Sequence, residues 1–220
     1  MLFSRSRLTP PASVVGVSSN VRPHIQPFSV LTTLRTSRLR LEPFSEEHLL
    51  GLNEMNSRPE VMRFLSGQPE TLEQTAAGIA RVQRCWSAWG TSWWAFVDLK
   101  TGRIAGAGCV QYLRKEAVPP ADPVSLLGSP LEIGWRLHPD FWRQGLATEA
   151  AHRMTAFAFE RFDVDELLAV RNPENLDSAR VMDRLSMSYC GLEQWYGTTV
   201  AVHTLSRLQW QQLHPHLSEA

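Results

Sequence analysis

The stretch from Leu131 to Val170 constrains this chain more than any other. Leu131–Leu137 reads as a strand, and His138–Gly145 as a short loop carrying Arg143 and Gly145. A helix follows with Ala147, Ala150, Ala151, Met154, Phe157, Ala158 and Phe162 on one face. Glu149, His152, Arg153 and Glu160 lie largely opposite, and Glu166–Val170 is a second, short apolar strand. A strand, an amphipathic helix and a strand in succession form the centre of a mixed α/β sheet.

The flanking segments fit around that unit. Arg38–Glu42 alternates polar and apolar residues as a half-buried strand does. Ser45 can cap a helix bearing Leu49, Leu52 and Met55, which must end before Pro59. Thr71 and Gln74 form a capping box ahead of Leu72, Ala76, Ile79, Val82, Trp86 and Trp89 at helical spacing. Trp93–Leu99 and Arg103–Leu113 read as a hairpin turning through Lys100–Gly102. Residues 114–130, with four prolines, form a long loop of the kind that carries function. A short helix with Ala179, Val181, Met182 and Leu185, then strands at Ser188–Trp195 and Val200–Arg207, complete the pattern. The expected sheet is mixed and mostly antiparallel.

Charge narrows the function classes. The 22 basic and 22 acidic residues balance, but three arginines lie in residues 1–33, which hold no acid. Residues 34–220 therefore carry 19 basic and 22 acidic groups. An acidic body of this kind argues against affinity drawn from nucleic-acid phosphates. No apolar run approaches the ~20 residues that span a bilayer. Cys85, Cys109 and Cys190 are odd in number and lack CxxC spacing, which suits buried thiols in a reducing, cytoplasmic compartment and neither a disulfide framework nor a zinc site. The seven histidines show no metal spacing, so no metal is expected. Residues 1–33 read as a poorly ordered basic leader: a transit peptide, a start upstream of the native one, or a functional arm. Residues 34–208 read as one domain and 209–220 as a polar tail.

The loop and helix start after Leu137 carry the clearest chemistry. The first turn of a helix has main-chain N–H groups without partners, and the helix dipole adds positive potential. Gly145 permits close approach of a ligand, Ala147 keeps the rim low, and Arg143 can add a charged donor. The segment can cradle a pyrophosphate; the plainer alternative is that Gly145 only turns the chain.

Leu131-Glu132-Ile133-Gly134-Trp135-Arg136-Leu137 followed by Trp142-Arg143-Gln144-Gly145-Leu146-Ala147-Thr148-Glu149-Ala150 resembles the acetyl-coenzyme-A motif of the GNAT superfamily of N-acetyltransferases. More narrowly it is similar to the branch containing the ribosomal-protein alanine N-acetyltransferases. The opening Thr36–Leu41, the Ile104-Ala105-Gly106 strand, and Asn172, Asn175 and Ser178 before Val181-Met182 agree in order. Trp142 stands where the strict superfamily form has Gln or Arg, and this branch often has an aromatic there.

The resemblance implies a GNAT-type fold with helices on both faces of the sheet, and direct transfer of an acetyl group from acetyl-CoA to an amine, without metal. It implies that Arg143, Gln144, Gly145, Leu146, Ala147 and Thr148 hold the pyrophosphate. Leu137 and its strand would meet the pantetheine arm, and Asn175 would bond it. Ser178 would serve the leaving thiolate, in place of the tyrosine that many members carry on that helix. Glu132, a carboxylate beside the expected reaction centre, is the candidate base, with His138 a second; Glu132 could equally be a strand-edge charge and Ser178 an ordinary helix-start serine. The acceptor would be a protein N-terminal α-amine or a small-molecule amine, and the protein a monomer or homodimer. A non-catalytic acyl-CoA-binding module and a basic-arm nucleic-acid binder remain rivals. Of Trp93 and Trp94, only one can face a ligand, because neighbours on a strand point to opposite faces.

Overall fold

The fold is known from a computed structural model that describes residues 31–215. Residues 1–30 of the leader and 216–220 of the tail lie outside the described residues. Eight strands form one sheet: β1 (Leu34–Arg35), β2 (Leu39–Pro43), β3 (Trp93–Asp98), β4 (Ile104–Tyr112), β5 (Leu131–Leu137), β6 (Glu166–Arg171), β7 (Ser188–Trp195) and β8 (Thr198–Ser206). Their order is β1-β2-β3-β4-β5-β6-β8-β7. Every neighbouring pair is antiparallel except β5 and β6, the two strands of the central unit. The helices are α1 (Leu49–Asn56), α2 (Pro59–Met62), α3 (Leu72–Trp89), α4 (Leu146–Arg161), α5 (Leu176–Arg184) and α6 (Arg207–Leu213). The mixed, mostly antiparallel α/β architecture is the expected one.

Local chemistry sets the element ends. Thr71 Oγ1 accepts the Gln74 N–H at 3.2 Å and Gln74 Oε1 accepts the Thr71 N–H at 2.8 Å, so α3 starts with the capping box. It ends at Gly90, whose φ of 69° is the left-handed form that glycine tolerates. At the β7–β8 turn Tyr196 (φ 56°) and Gly197 (φ 71°) are both left-handed, as a tight two-residue hairpin requires.

Packing positions α4 against the sheet. A Cβ on Gly108 would meet the Phe96 ring at 2.5 Å and Met154 of α4 at 2.8 Å, so only glycine leaves room for this approach. Trp94 is fully buried and meets Trp86 of α3 and Phe157 of α4 edge-on, at 5.0 and 5.3 Å between centroids. On the other face α1 packs on β4, with Gly51 against Ile104. Thus α4 is fixed with its first turn at the end of β5.

Packed structure continues past residue 208, where the sequence pattern fades. Ser206 Oγ caps α6 by accepting the Gln209 N–H, and Trp210 is buried against Phe159 at 5.2 Å. Of the apolar residues in this seven-residue helix only Trp210 is buried, while Leu208 and Leu213 are exposed, so the period is too weak to be read from sequence. Trp210→Ala is expected to cost about 3 kcal/mol of unfolding free energy, within the range for buried tryptophan truncations, measured by urea denaturation.

Candidate active site

The parallel pair at the sheet centre is barely a pair. β5 and β6 share one register position, Glu132 opposite Leu168. The main-chain N–H groups of His138 and Leu113 donate to Ala105 and Pro130, each at 2.9 Å. Those bonds set the alternation of the β4–β5 ladder: even-numbered residues of β5 face β4, and odd-numbered ones face β6. Trp135 and Leu137 therefore turn their main-chain groups toward a gap in which no β6 residue is registered against them. The Trp142 indole N–H donates to Leu137 O at 2.8 Å and closes the far end of that edge.

The loop beyond Leu137 is held in an unusual shape. Arg143 (φ 59°) and Gly145 (φ 77°) are left-handed, and Gly145 caps α4. Arg38 donates to Gln144 O at 2.8 Å and to Glu149 Oε2 at 2.7 Å, tying loop and helix to the start of β2. Gln144 also donates to Asp140 O at 2.9 Å. The main-chain N–H groups of Leu146, Ala147 and Thr148 belong to the first turn, where a helix offers no acceptor. Thr148 Oγ1 is buried without a hydrogen-bond partner among the described residues. A buried hydroxyl with nothing to bond, beside free main-chain donors and a bare strand edge, fits an extended ligand ending in an anionic group.

Glu132 sits at the vertex of the gap, only 4% exposed, and opens onto a cavity of about 590 Å³. The cavity lies under α3 and the 114–130 loop, with the β7–β8 hairpin tip at its edge. Gln111, directly opposite on β4, donates to Glu132 Oε1 at 2.7 Å, and the Tyr196 hydroxyl donates to the same oxygen. Gln111 is itself fixed by the Trp93 indole N–H at 2.9 Å. Glu132 Oε2 has no hydrogen-bond partner among the described residues. Burial raises the Glu132 pKa to about 7, against the opposing pull of the Gln111 and Tyr196 hydrogen bonds and the Arg114 charge. Burial, then the neighbouring Glu132 carboxylate, pushes the Tyr196 phenol well above its usual value.

The other sequence-derived candidates are spread around the gap. Ser178 and Asn175 lie at the start of α5, beyond the end of β6, and do not line the cavity that holds Glu132. Asn175 Oδ1 accepts the Ser178 N–H at 3.1 Å, so it caps the helix, while the half-buried Ser178 hydroxyl has no partner among the described residues. His138 is buried with Nδ1 accepting the Asp140 N–H at 3.2 Å; it shapes the turn after β5 and is not at the cavity. Trp93 faces the cavity and Trp94 the core. Sequence reading missed Tyr196, Gln111 and the arginines around them. Their one local signal is the Tyr-Gly pair at the hairpin turn.

Comparison with known proteins gives the class. A family model for the acetyltransferase (GNAT) domain matches residues 38–188, and the chain belongs to that family. An Aspergillus fumigatus protein named FsC-acetyl coenzyme A-N(2)-transacetylase is 29% identical over 164 residues, covering 73% of this chain and 64% of its own length. The uncharacterized protein YkkB of Bacillus subtilis is 28% identical over 177 residues, covering 78% and 94%. Among solved structures, an acetyltransferase from Agrobacterium tumefaciens superimposes with a TM-score of 0.66 at 22% identity, over 84% of this chain and 99% of that one. A GNAT-family acetyltransferase from Bacillus anthracis gives 0.62 at 19%, over 80% and 98%. The chain thus shares its overall fold with these acetyltransferases.

The buried carboxyl has a consequence for stability. Its folded pKa lies above the unfolded value, so the folded state holds the proton more tightly and unfolding free energy falls as pH rises from about 4.5 to about 7. Above that range the ionised carboxylate costs about 3 kcal/mol. Glu132→Gln is expected to remove this part of the slope and to be the more stable protein at pH 8, by chemical denaturation across that range.

Proposed function

We propose that the protein is an N-acetyltransferase that moves an acetyl group from acetyl-CoA directly to an amine. The observation that carries this reading is Glu132: a carboxyl buried at the vertex of the open strand pair, with one oxygen held and the other free toward a cavity. Acetyl-CoA supplies the acetyl group as an activated thioester. The main-chain N–H groups of Gly145 to Thr148, the Thr148 hydroxyl and Arg143 would hold its pyrophosphate. The bare edge of β5 at Trp135 and Leu137 would orient its pantetheine arm, with Asn175 on the opposite side.

The chain's own residues manage the proton. An ammonium has no lone pair, so the acceptor must lose a proton before it can attack. Glu132 Oε2 takes that proton; with a pKa of about 7 about half of the carboxyl is ionised at neutral pH, and the ionised form is basic enough to work. Gln111 and Tyr196 hold Oε1 and so fix the direction in which Oε2 points. A free main-chain N–H on the β5 edge is suited to a developing oxyanion. Ser178 Oγ, on the β6 side and without a partner among the described residues, is the proton donor there. The acceptor is an amine, with two sources of support. The motif resemblance to ribosomal-protein alanine N-acetyltransferases favours a protein N-terminal α-amine, and the Aspergillus relative's name describes acetylation of FsC at N(2). The free, buried thiols of Cys85 and Cys109 suit a cytoplasmic enzyme.

Glu132→Gln is expected to lower kcat at least 100-fold while the Kd for coenzyme A changes less than threefold. In the parent enzyme kcat/KM should rise with pH through about 7, and the variant should lose that limb. A variant with near-normal kcat would assign the base elsewhere. Ser178→Ala should lower kcat with little effect on coenzyme affinity, measured by thiol release and calorimetry.

A further inference from the structure

Five arginines line the cavity that holds Glu132, and three of them are coupled by charge: Arg81 from α3, Arg114 from the start of the 114–130 loop, and Arg136 from β5. Two are mounted on aromatic rings. Arg114 lies 4.5 Å from the Tyr196 ring centroid and Arg136 lies 4.4 Å from that of Trp93. Arg81 has no hydrogen bond or ion pair among the described residues, and its charge acts on both of the others.

Few of their donors are used. Arg136 Nε donates to Asn56 Oδ1 at 3.1 Å, and Arg114 Nη2 to Ala117 O at a long 3.3 Å. Arg114 Nε is buried without a partner among the described residues. The acids nearby act on these arginines by charge but bond elsewhere: Glu70 Oε2 accepts from Asn56 at 2.8 Å and from Thr75 at 3.0 Å, and Glu132 Oε1 from Gln111 and Tyr196. Burial holds the Arg114 and Arg136 pKa values below the usual guanidinium range, and the like charge of Arg81 adds to this. Half-buried cations such as Arg114 and Arg136 lose hydration without filling their donors, and an anion with two or three oxygens offsets that cost.

We propose that the acceptor is a small amine bearing an anionic group, a carboxylate or a phosphate, which Arg81, Arg114 and Arg136 hold while the amine lies beside Glu132. The inference rests on the acetyl-transfer reading and names its substrate class. A polycationic amine would meet three like charges. An amine carrying its own anion neutralises part of them. The remaining positive potential then disfavours the ammonium form and so favours loss of the proton to Glu132. A cavity of about 590 Å³ is of the size that takes small molecules.

Matched acceptors test this with thiol release from acetyl-CoA: an α-amino acid against its amide, and an aminoalkyl phosphate against the amino alcohol. The anionic member of at least one pair should have a kcat/KM at least tenfold higher, and the pair that shows the preference separates carboxylate from phosphate. Arg81→Gln and Arg114→Gln should each raise KM for that acceptor at least tenfold, with Arg81→Lys restoring part of it. Arg81 is exposed, so its replacement leaves the core untouched. Calorimetry with inorganic phosphate and with an amino acid reads the same site without turnover, and both variants should weaken the binding tenfold. Equal use of the neutral partners, or a preference for them, overturns the proposal. If no amine is acetylated the functional reading fails, and calorimetry alone decides here: anion binding lost in Arg81→Gln supports the site, while absent or unaffected binding overturns it.

Discussion

The site depends on one failure of pairing. β5 and β6 meet at Glu132 and Leu168 and then diverge, so a parallel ladder that should run for several residues stops after one position. A sheet normally satisfies its main-chain groups by pairing them. Here Trp135 and Leu137 keep an open edge, and the gap leads to the first turn of α4, where another set of N–H groups is free. The divergence also places Glu132 where the sheet is still closed, so its carboxyl is buried, while the space beyond it is open to a ligand. Strand edge, helix start and buried acid are three results of the same geometry.

Holding that geometry requires supports at a distance. Gly108 lets α4 sit close on the sheet, and Trp94 links α3 to α4 through two edge-on contacts. Arg38 pins the glycine loop from the other end of the sheet. The hairpin tip is bound to the long loop by Tyr196 N–H to Arg114 O at 2.9 Å and Gly197 N–H to Lys115 O at 2.7 Å. Those two bonds carry the Tyr196 ring to Glu132 and place Arg114 over it. Tyr196 accepts a left-handed backbone to do so, a strain that persists because the turn and the loop both fix it.

What could be read from sequence was local. The strand, loop and helix from Leu131 to Arg161, the Thr71 capping box and the opposite faces of Trp93 and Trp94 follow from spacing within a few residues. The open β5 edge was accessible only through resemblance, because the chain shows the same strand pattern whether or not its neighbour diverges. Tyr196 lies 64 residues from Glu132 and 85 from Gln111, and nothing in the local text links them. The arginine cluster is likewise drawn from a helix, a loop and a strand. Glu132 read equally well as an edge charge or as a base; burial on both sides, which no sequence pattern displays, separates the two.

The environment of Glu132 sets its proton affinity near neutrality through the balance between burial, which raises the pKa, and the Gln111, Tyr196 and Arg114 contacts, which lower it. The most direct test is a carbon-13 NMR titration of the Glu132 side-chain carboxyl, assigned by its loss in Glu132→Gln. The expected midpoint is about 7. A midpoint at the ordinary glutamate value near 4.5 would mean a solvated carboxylate at this position and would contradict it.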